Sequence, residues 1–275
     1  MKIGCCTNMI AAGPDGTGAE SIEILAEAGY EYIEMPLAQV ARLTEKEFSS
    51  LKGVLSSSGI SCEACNIFFP PEIRLTGYEV NSSRICSYMD RAFDRAAQMG
   101  AEIIVFGSSG ARNVPEGFSK EKAWRQLVSL LHEVDRKAGA CGITVAIEPI
   151  NRLESNIVNL TMDGFKLMQE VDLPNIKLLI DYYHMAVERE KPGIISQVGN
   201  CVRHVHFSEY EGRIFPREEN KPEYLEFFKQ LNNINYTSRI SVEAYSSSLK
   251  QDAIRSLAVI RKYCPGDKSK YEGCV

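Results

Sequence analysis

The chain has 275 residues, a length that suits one α/β barrel of about 250 residues and is ample to bury a large core. Its 44% hydrophobic and 24% charged residues are ordinary for a globular domain, and no apolar run approaches the roughly 18 residues of a membrane span. The net charge of −5, without a long basic run, argues against nucleic acid as a partner, because Lys and Arg must neutralise its phosphates.

Short β-rich runs alternate with amphipathic helical stretches along the whole chain. The predicted strands lie at 3–7, 30–35, 60–67, 102–106, 143–148, 176–181, 202–206 and 240–243. The predicted helices lie at 21–28, 44–57, 81–99, 119–140, 161–171, 192–198, 223–231 and 249–263. Glycines such as Gly29 and Gly100 end several helices, and Thr44 with Glu47 predicts a capping box. Eight strand–helix units without a composition break predict a single-domain (β/α)8 TIM barrel over 1–264, followed by a loosely held polar tail at 265–275.

Four successive predicted strands end in residues that bind metals or exchange protons. These residues are Glu148, Asp181, His206 and Glu243, at spacings of 33, 25 and 37 residues. A strand–loop–helix–loop unit needs about 30 residues, and in an α/β barrel the carboxyl-terminal strand ends hold the chemistry. A single acid at a strand end is more often a cap or a surface residue. Four such residues on consecutive strands instead predict a site for a hard divalent cation.

The other histidines and a nearby acid have simpler interpretations. His204 shares a strand face with His206, so we expect only the outermost of the two to reach the metal and His204 to form hydrogen bonds lower in the barrel. Glu209 is expected beside the site without binding the ion, and His132 is expected on a helix surface.

Loops after the strands add further candidates. Glu154 follows Glu148 in a loop over the barrel mouth, and His184 follows Asp181 in the next loop. The polar, glycine-rich segment at 107–117 suits a polyhydroxylated ligand or a phosphate. Residues Phe68 and Phe69 after strand 3 either line a pocket or pack the loop, and the sequence does not decide between the two.

Several of these segments occur together in a known superfamily. They read E-P-I-N-R-L-E at 148–154, D-Y-Y-H at 181–184, H-V-H-F-S-E at 204–209, V-E at 242–243 and G-S-S-G-A-R-N-V-P-E-G at 107–117. Together they resemble the xylose isomerase-like barrel superfamily, and within it the ketose 3-epimerase group that includes the D-tagatose and D-psicose 3-epimerases. The resemblance covers essentially the whole chain.

The resemblance implies a divalent metal, Mn²⁺ or a substitute such as Co²⁺ or Mg²⁺, held by Glu148, Asp181, His206 and Glu243. It also implies that Glu148 and Glu243 form the acid–base pair. The expected reaction is epimerisation of a free ketohexose or ketopentose at carbon 3 through a cis-enediolate. Homodimers or homotetramers are implied as well.

The same resemblance implies that Glu154, His184 and Arg213 contact the oxygens of the sugar substrate. Arg213 is aligned with the arginine of the epimerase group by accepting one extra residue, Gly212, in its loop. With this alignment, the number of residues between the arginine and Pro216 is the same as in the group.

Three other functions stay open at this point. An aldose–ketose isomerase, or a hydroxypyruvate- or inosose-type isomerase, uses a similar metal and similar carboxylates on the same fold. An apurinic endonuclease of this fold needs a three-zinc cluster rich in histidine, whereas this chain has four histidines in total. A sugar-binding barrel without catalysis is disfavoured by the two intact glutamates.

Cysteine usage predicts the compartment. The nine cysteines are scattered and odd in number, which indicates reduced thiols in a cytoplasmic protein, and the start of the chain reads as a strand without an apolar leader. The C-E-A-C segment at 62–65 has no second pair, so buried or edge thiols are favoured over a metal or redox motif.

Overall fold

The structure, a computed structural model, describes residues 1–264 and forms a closed barrel of eight parallel strands. The strands are β1 (Lys2–Cys6), β2 (Tyr32–Pro36), β3 (Ser61–Asn66), β4 (Ile103–Phe106), β5 (Thr144–Ile147), β6 (Ile176–Asp181), β7 (Val202–Phe207) and β8 (Arg239–Val242). Each strand pairs with the next in sequence order, and β8 closes the barrel by pairing with β1. This topology confirms the predicted TIM barrel. The tail predicted at 265–275 lies outside the described residues, so the boundary at 264 stays a prediction.

Helices connect the strands around the outside of the barrel. They are α1 (Ile22–Ala28), α2 (Leu37–Arg42), α3 (Glu45–Ser58), α4 (Ser82–Met99), α5 (Ser109–Arg112), α6 (Lys120–Cys141), α7 (Thr161–Val171), α8 (Tyr182–Val187), α9 (Ile194–Val198), α10 (Pro222–Asn233) and α11 (Leu249–Tyr263). Single 3₁₀ turns lie at Asn8–Ile10, Ala19–Ser21, Gly199–Cys201 and Glu211–Arg213. None of the helices within residues 1–264 has the length and apolar character that a bilayer crossing requires.

Local capping explains where several helices begin and end. The Thr44 side chain and Glu47 form the predicted capping box at the start of α3. Gly29 (φ 92°) and Gly100 (φ 88°) end α1 and α4 in the left-handed conformation, which an L side chain adopts only with strain. The sequence missed α2, α5 and α8, because helices of six, four and six residues are too short to show a helical period.

The barrel interior is filled by a small apolar layer that supports a polar layer above it. The apolar layer consists of Tyr32, Ala64, Ile103, Val105, Ala146 and Leu179. The Tyr32 ring fits only because β1 has a glycine opposite it, since a Cβ on Gly4 would lie 2.3 Å from the ring. Burying each large apolar side chain contributes about 1.5–3 kcal/mol, so this layer is a stable floor for the polar groups at the barrel mouth.

Candidate metal centre

The four predicted metal ligands come together at the carboxyl-terminal end of the barrel. One ligand atom from each of Glu148, Asp181, His206 and Glu243 lies within 4.8 Å of the other three. His206 Nδ1 is 3.1 Å from Glu148 Oε1 and 3.4 Å from Glu243 Oε2. Each of the four residues is at most 7% exposed. Three carboxylates and one imidazole, buried together, are a donor set for a divalent cation.

Strand register explains how residues far apart in sequence meet. Asp181, the last residue of β6, pairs directly with His206 on β7. Glu148 and Glu243 each lie one residue beyond the end of their strand, because β5 ends at Ile147 and β8 ends at Val242. The predicted ends of these two strands were therefore each one residue too long. The carboxylates thus leave the sheet just where the barrel opens.

Asp181 has one oxygen available for a cation. Its Oδ1 accepts hydrogen bonds from the backbone N–H of Tyr183 at 2.7 Å and of His184 at 3.4 Å, and it thereby caps α8. Its Oδ2 is buried and accepts no hydrogen bond from any residue in 1–264. A buried carboxylate oxygen without a donor is unfavourable unless a cation satisfies it, so the residues fit a bound metal ion.

The electrostatics also favour a positive charge at this point. Burial alone would raise the pKa of Glu243, but the charges of His206 and Arg213 outweigh burial and hold this pKa below its usual value. Burial alone would lower the pKa of His206, but Glu34 and Glu243 outweigh it and raise this pKa well above its usual value. The carboxylates thus stabilise positive charge among them, whether a proton or a metal ion carries it.

A cavity of about 300 Å³ is lined by two of the four residues, Glu148 and Glu243. All three predicted substrate contacts, Glu154, His184 and Arg213, line it. Phe69 lines it as well, whereas Phe68 is buried and packs against Phe93 with ring centres 5.4 Å apart. The cavity therefore has the polar and aromatic lining of a small-molecule site. A larger groove of about 840 Å³ between α4 and α6 contains none of the predicted site residues.

Arg213 lies between the acids of the site. Its guanidinium donates to Glu243 Oε2 at 2.5 Å, is 3.6 Å from Glu154 Oε2 and stacks over the Tyr183 ring at 4.5 Å. Residue 213 has φ 48°, and the preceding Gly212 has φ 76°. Backbone strain of this kind is often found at functional sites. The extra residue in the loop is thus a glycine in a left-handed conformation, immediately before the arginine.

His184 is oriented by a neighbouring amide. The Asn151 side-chain nitrogen is 2.7 Å from His184 Nδ1 and also donates to Glu154 Oε1 at 2.9 Å. Because an amide nitrogen only donates, His184 Nδ1 accepts and its Nε2 bears the proton. That Nε2 is 3.5 Å from Asp181 Oδ2. His184 therefore offers a proton donor at the metal side of the cavity.

The remaining residues discussed from the sequence lie outside this four-residue cluster. His204 forms a 2.6 Å hydrogen bond with Glu34 deep in the barrel. Glu209 accepts hydrogen bonds from Lys221 and Tyr224 and is not one of the four clustered residues. His132 is exposed on α6. The C-E-A-C cysteines are buried free thiols.

Sequence analysis assigned no individual role to two buried charged residues. Glu34 on β2 is fully buried, and its Oε1 lies 2.9 Å from His206 Nε2. Arg112 is also fully buried and donates to the carbonyls of Phe106 and Glu148, at 2.9 and 2.8 Å. Burial lowers the pKa of the Arg112 guanidinium to about 10, so it is charged at neutral pH. The sequence feature that could have identified Glu34 was the presence of an acid inside the otherwise apolar strand β2.

Comparisons with known proteins identify the family and the fold. A family model described as the xylose isomerase-like TIM barrel matches residues 22–263. A ketose 3-epimerase of Arthrobacter globiformis is 26% identical over 282 residues, covering 95% of this chain and 90% of that protein. A D-psicose 3-epimerase of Ruminiclostridium cellulolyticum is 23% identical over 235 residues, covering 82% and 77%. A crystal structure of a D-psicose 3-epimerase in the presence of D-fructose superimposes with a TM-score of 0.84 at 20% identity, covering 97% of this chain and 100% of that one.

Proposed function

The chain belongs to the xylose isomerase-like TIM barrel family, and we propose that within it the protein is a metal-dependent ketose 3-epimerase. The two relatives described above are named as a ketose 3-epimerase and a D-psicose 3-epimerase, in line with the carbohydrate epimerase predicted from the sequence. The observation that carries the proposal is the convergence of two carboxylates on one point, with Glu148 Oε1 and Glu243 Oε2 lying 3.1 and 3.4 Å from His206 Nδ1.

The two glutamates suit an inversion of configuration at carbon 3 of a ketose. Glu148 follows β5 and Glu243 follows β8, so they extend from well-separated parts of the barrel rim over one point. One carboxylate removes the proton at carbon 3 of the ketose, which gives a cis-enediolate. The other returns a proton to the opposite face, and carbon 3 is inverted. This two-base route requires the two carboxylates to reach opposite faces of carbon 3.

The proton at carbon 3 is too weakly acidic to be removed unless the neighbouring carbonyl is polarised. Glu148, Asp181, His206 and Glu243 would hold the divalent cation, which supplies this polarisation when bound. Mn²⁺ is the proposed ion, with Co²⁺ or Mg²⁺ as substitutes, because carboxylate-rich sets with one imidazole suit such ions.

The remaining polar residues orient the sugar. His184 Nε2 donates to a substrate oxygen near Asp181, and Glu154 accepts from a hydroxyl group. Arg213, which already faces Glu243, holds a substrate oxygen beside that base. Fixing the sugar in this way lowers the entropic part of the barrier.

The cavity favours an unphosphorylated sugar. Arg213 is the one arginine or lysine among the residues of 1–264 that line the cavity, and it already pairs with acids. A phosphate would need further donors. The eight cysteines within residues 1–264 are free, which suits a reducing cytoplasm. A homodimer or homotetramer is proposed from the family resemblance.

Deuterium exchange tests the proposal. The Mn²⁺-loaded protein is incubated in heavy water with D-fructose, D-tagatose, L-ribulose or hydroxypyruvate, and the products are followed by NMR. We expect a 3-epimer with deuterium at carbon 3 for at least one ketose. Label at carbon 1 together with aldose formation would instead identify an aldose–ketose isomerase. A sugar-binding protein would incorporate no label.

A further inference from the structure

Glu34 lies directly beneath the metal centre and contacts its histidine. It is fully buried on β2, and its Oε1 is 2.9 Å from His206 Nε2. Its other oxygen, Oε2, is 2.6 Å from His204 Nε2 and 2.5 Å from Ser241 Oγ. None of these contacts involves Lys or Arg. Burying a carboxylate is costly in free energy when its hydrogen-bond donors, here two imidazoles and a hydroxyl group, carry no permanent charge. The position of Glu34 therefore calls for a functional explanation.

All three partners of Glu34 must act as donors, because a carboxylate only accepts. Ser241 therefore donates to Glu34, and the Tyr32 hydroxyl, 2.8 Å from Ser241 Oγ, donates in turn to Ser241. The result is a hydrogen-bond chain from Tyr32 through Ser241 to Glu34, and from Glu34 to His206. Because the Glu34 carboxylate can only accept, it fixes which group donates and which accepts in each of these hydrogen bonds.

This direction determines the state of His206. With the proposed cation bound in place of a second proton, the His206 imidazole is neutral and has one N–H, which Glu34 retains on Nε2. The lone pair is then on Nδ1, the nitrogen 3.1 Å from Glu148 and 3.4 Å from Glu243. The two ring nitrogens thus face different groups, Nε2 the carboxylate below and Nδ1 the proposed cation site.

An alternative use of the same atoms is a second metal site. Ligand atoms of Cys6, Glu34 and His206 lie within 4.8 Å of one another. Against this use, the Cys6 sulfur is 4.0 Å from His206 Nε2, and both Glu34 oxygens already accept hydrogen bonds. The distances around Glu34 are those of hydrogen bonds between side chains.

We propose that Glu34 is a positioning residue that holds the proton of His206 on Nε2 and directs the Nδ1 lone pair at the metal ion. The inference rests on the proposed metal site and adds a residue that does not touch the ion. Glutamine cannot replace Glu34, because an amide has one acceptor oxygen and would turn its NH₂ towards an N–H donor. Hydrogen-bond partners of metal-bound histidines typically change metal affinity 10–100-fold when removed.

Metal binding by the chelator-treated protein provides the first test. Mn²⁺ is titrated calorimetrically into the wild type, Glu34→Gln and a control, Glu63→Gln. Glu63 is a buried carboxylate at the opposite end of the barrel, held by Lys2 and Arg239 at 2.7 and 2.6 Å. We expect 10–100-fold weaker binding for Glu34→Gln and a change of less than about threefold for Glu63→Gln. Circular dichroism shows whether each variant is folded.

A second measurement needs no variant. In the ¹⁵N-labelled wild type loaded with Zn²⁺, long-range ¹H–¹⁵N spectra report which nitrogen of His206 bears the proton. We expect the proton on Nε2 and the metal on Nδ1.

Metal on Nε2 would overturn the inference, as would a folded Glu34→Gln variant that binds Mn²⁺ like the wild type. Two ions per chain, one of them lost in Cys6→Ser, would indicate the second metal site instead. A wild type that binds no ion would contradict the proposed function itself, which separates the two failures.

Discussion

Glu148 occupies the space that a side chain at position 107 would need, because a Cβ on Gly107 would lie 2.0 Å from Glu148 Oε2. Gly107 follows β4 and Glu148 follows the adjacent β5. The first glycine of the G-S-S-G segment therefore makes room for a proposed catalytic carboxylate.

Gly107→Ala should displace the Glu148 carboxylate. We expect kcat/KM to fall at least tenfold and Mn²⁺ affinity to fall with it, while the far-ultraviolet circular dichroism stays unchanged. The matched control is Gly53→Ala in α3, where a Cβ meets no atom within 4 Å. That change should keep activity and stabilise the helix by up to about 1 kcal/mol. Unchanged kinetics in Gly107→Ala would show that Glu148 need not lie where the structure places it.

Glu148→Gln and Glu243→Gln should each abolish most turnover. An amide cannot accept the proton from carbon 3, so we expect kcat to fall about 10²–10⁴-fold. The control is Glu209→Gln, a buried acid that bonds Lys221 and Tyr224 outside the cluster. Its kcat should stay within about threefold of the wild type. Near-normal turnover in either glutamate variant would defeat the acid–base assignment.

Arg213→Lys should raise KM more than it lowers kcat. The guanidinium spans Glu243 and Glu154 and stacks on Tyr183, which a single ammonium group cannot reproduce. We expect KM to rise about tenfold, equivalent to about 1.4 kcal/mol. Arg217→Lys, four residues further along the same loop, provides the comparison in steady-state kinetics, because it alters a pair with Asp252 of α11. An equal effect of both variants would argue against a substrate contact for Arg213.

Glu63 should contribute pH-dependent stability. Burial alone would raise the pKa of Glu63, but hydrogen bonds from Lys2 and Arg239 outweigh it and lower this pKa. Its contribution is therefore present above the unfolded-state pKa, about 4.3, and is lost as the pH falls through the lower folded-state pKa. Urea unfolding at pH 7 should show Glu63→Gln destabilised by about 1–3 kcal/mol, with a smaller difference at pH 3.

The control for this effect is Glu102→Gln, because Glu102 also pairs with Arg239 but is 61% exposed. An exposed ion pair should contribute less than about 1 kcal/mol at either pH. A Glu63→Gln effect of equal size at pH 7 and pH 3 would contradict the assigned charge interaction.

Sequence alone predicted the parts of the site that follow from chain periodicity. Asp181 and His206 end strands of a barrel, and barrel topology brings such ends together without any knowledge of side-chain packing. The same reasoning placed β5 and β8 one residue too long, because Glu148 and Glu243 turn out of the sheet.

The remaining features depend on contacts that no local pattern encodes. Glu34 meets His206 across 172 positions of sequence, and Gly107 matters only because of Glu148 on another strand. Arg112 was part of a segment predicted to cradle a ligand, yet its side chain points inward onto backbone carbonyls. Ser108 and Ser109 of the same segment do line the cavity.

Anomalous diffraction from a Mn²⁺-loaded crystal tests the central claim most directly. The account predicts one strong manganese peak within ligand distance of Glu148, Asp181, His206 Nδ1 and Glu243. A peak coordinated by other groups, or an ion that leaves two of these four side chains out of reach, would contradict it.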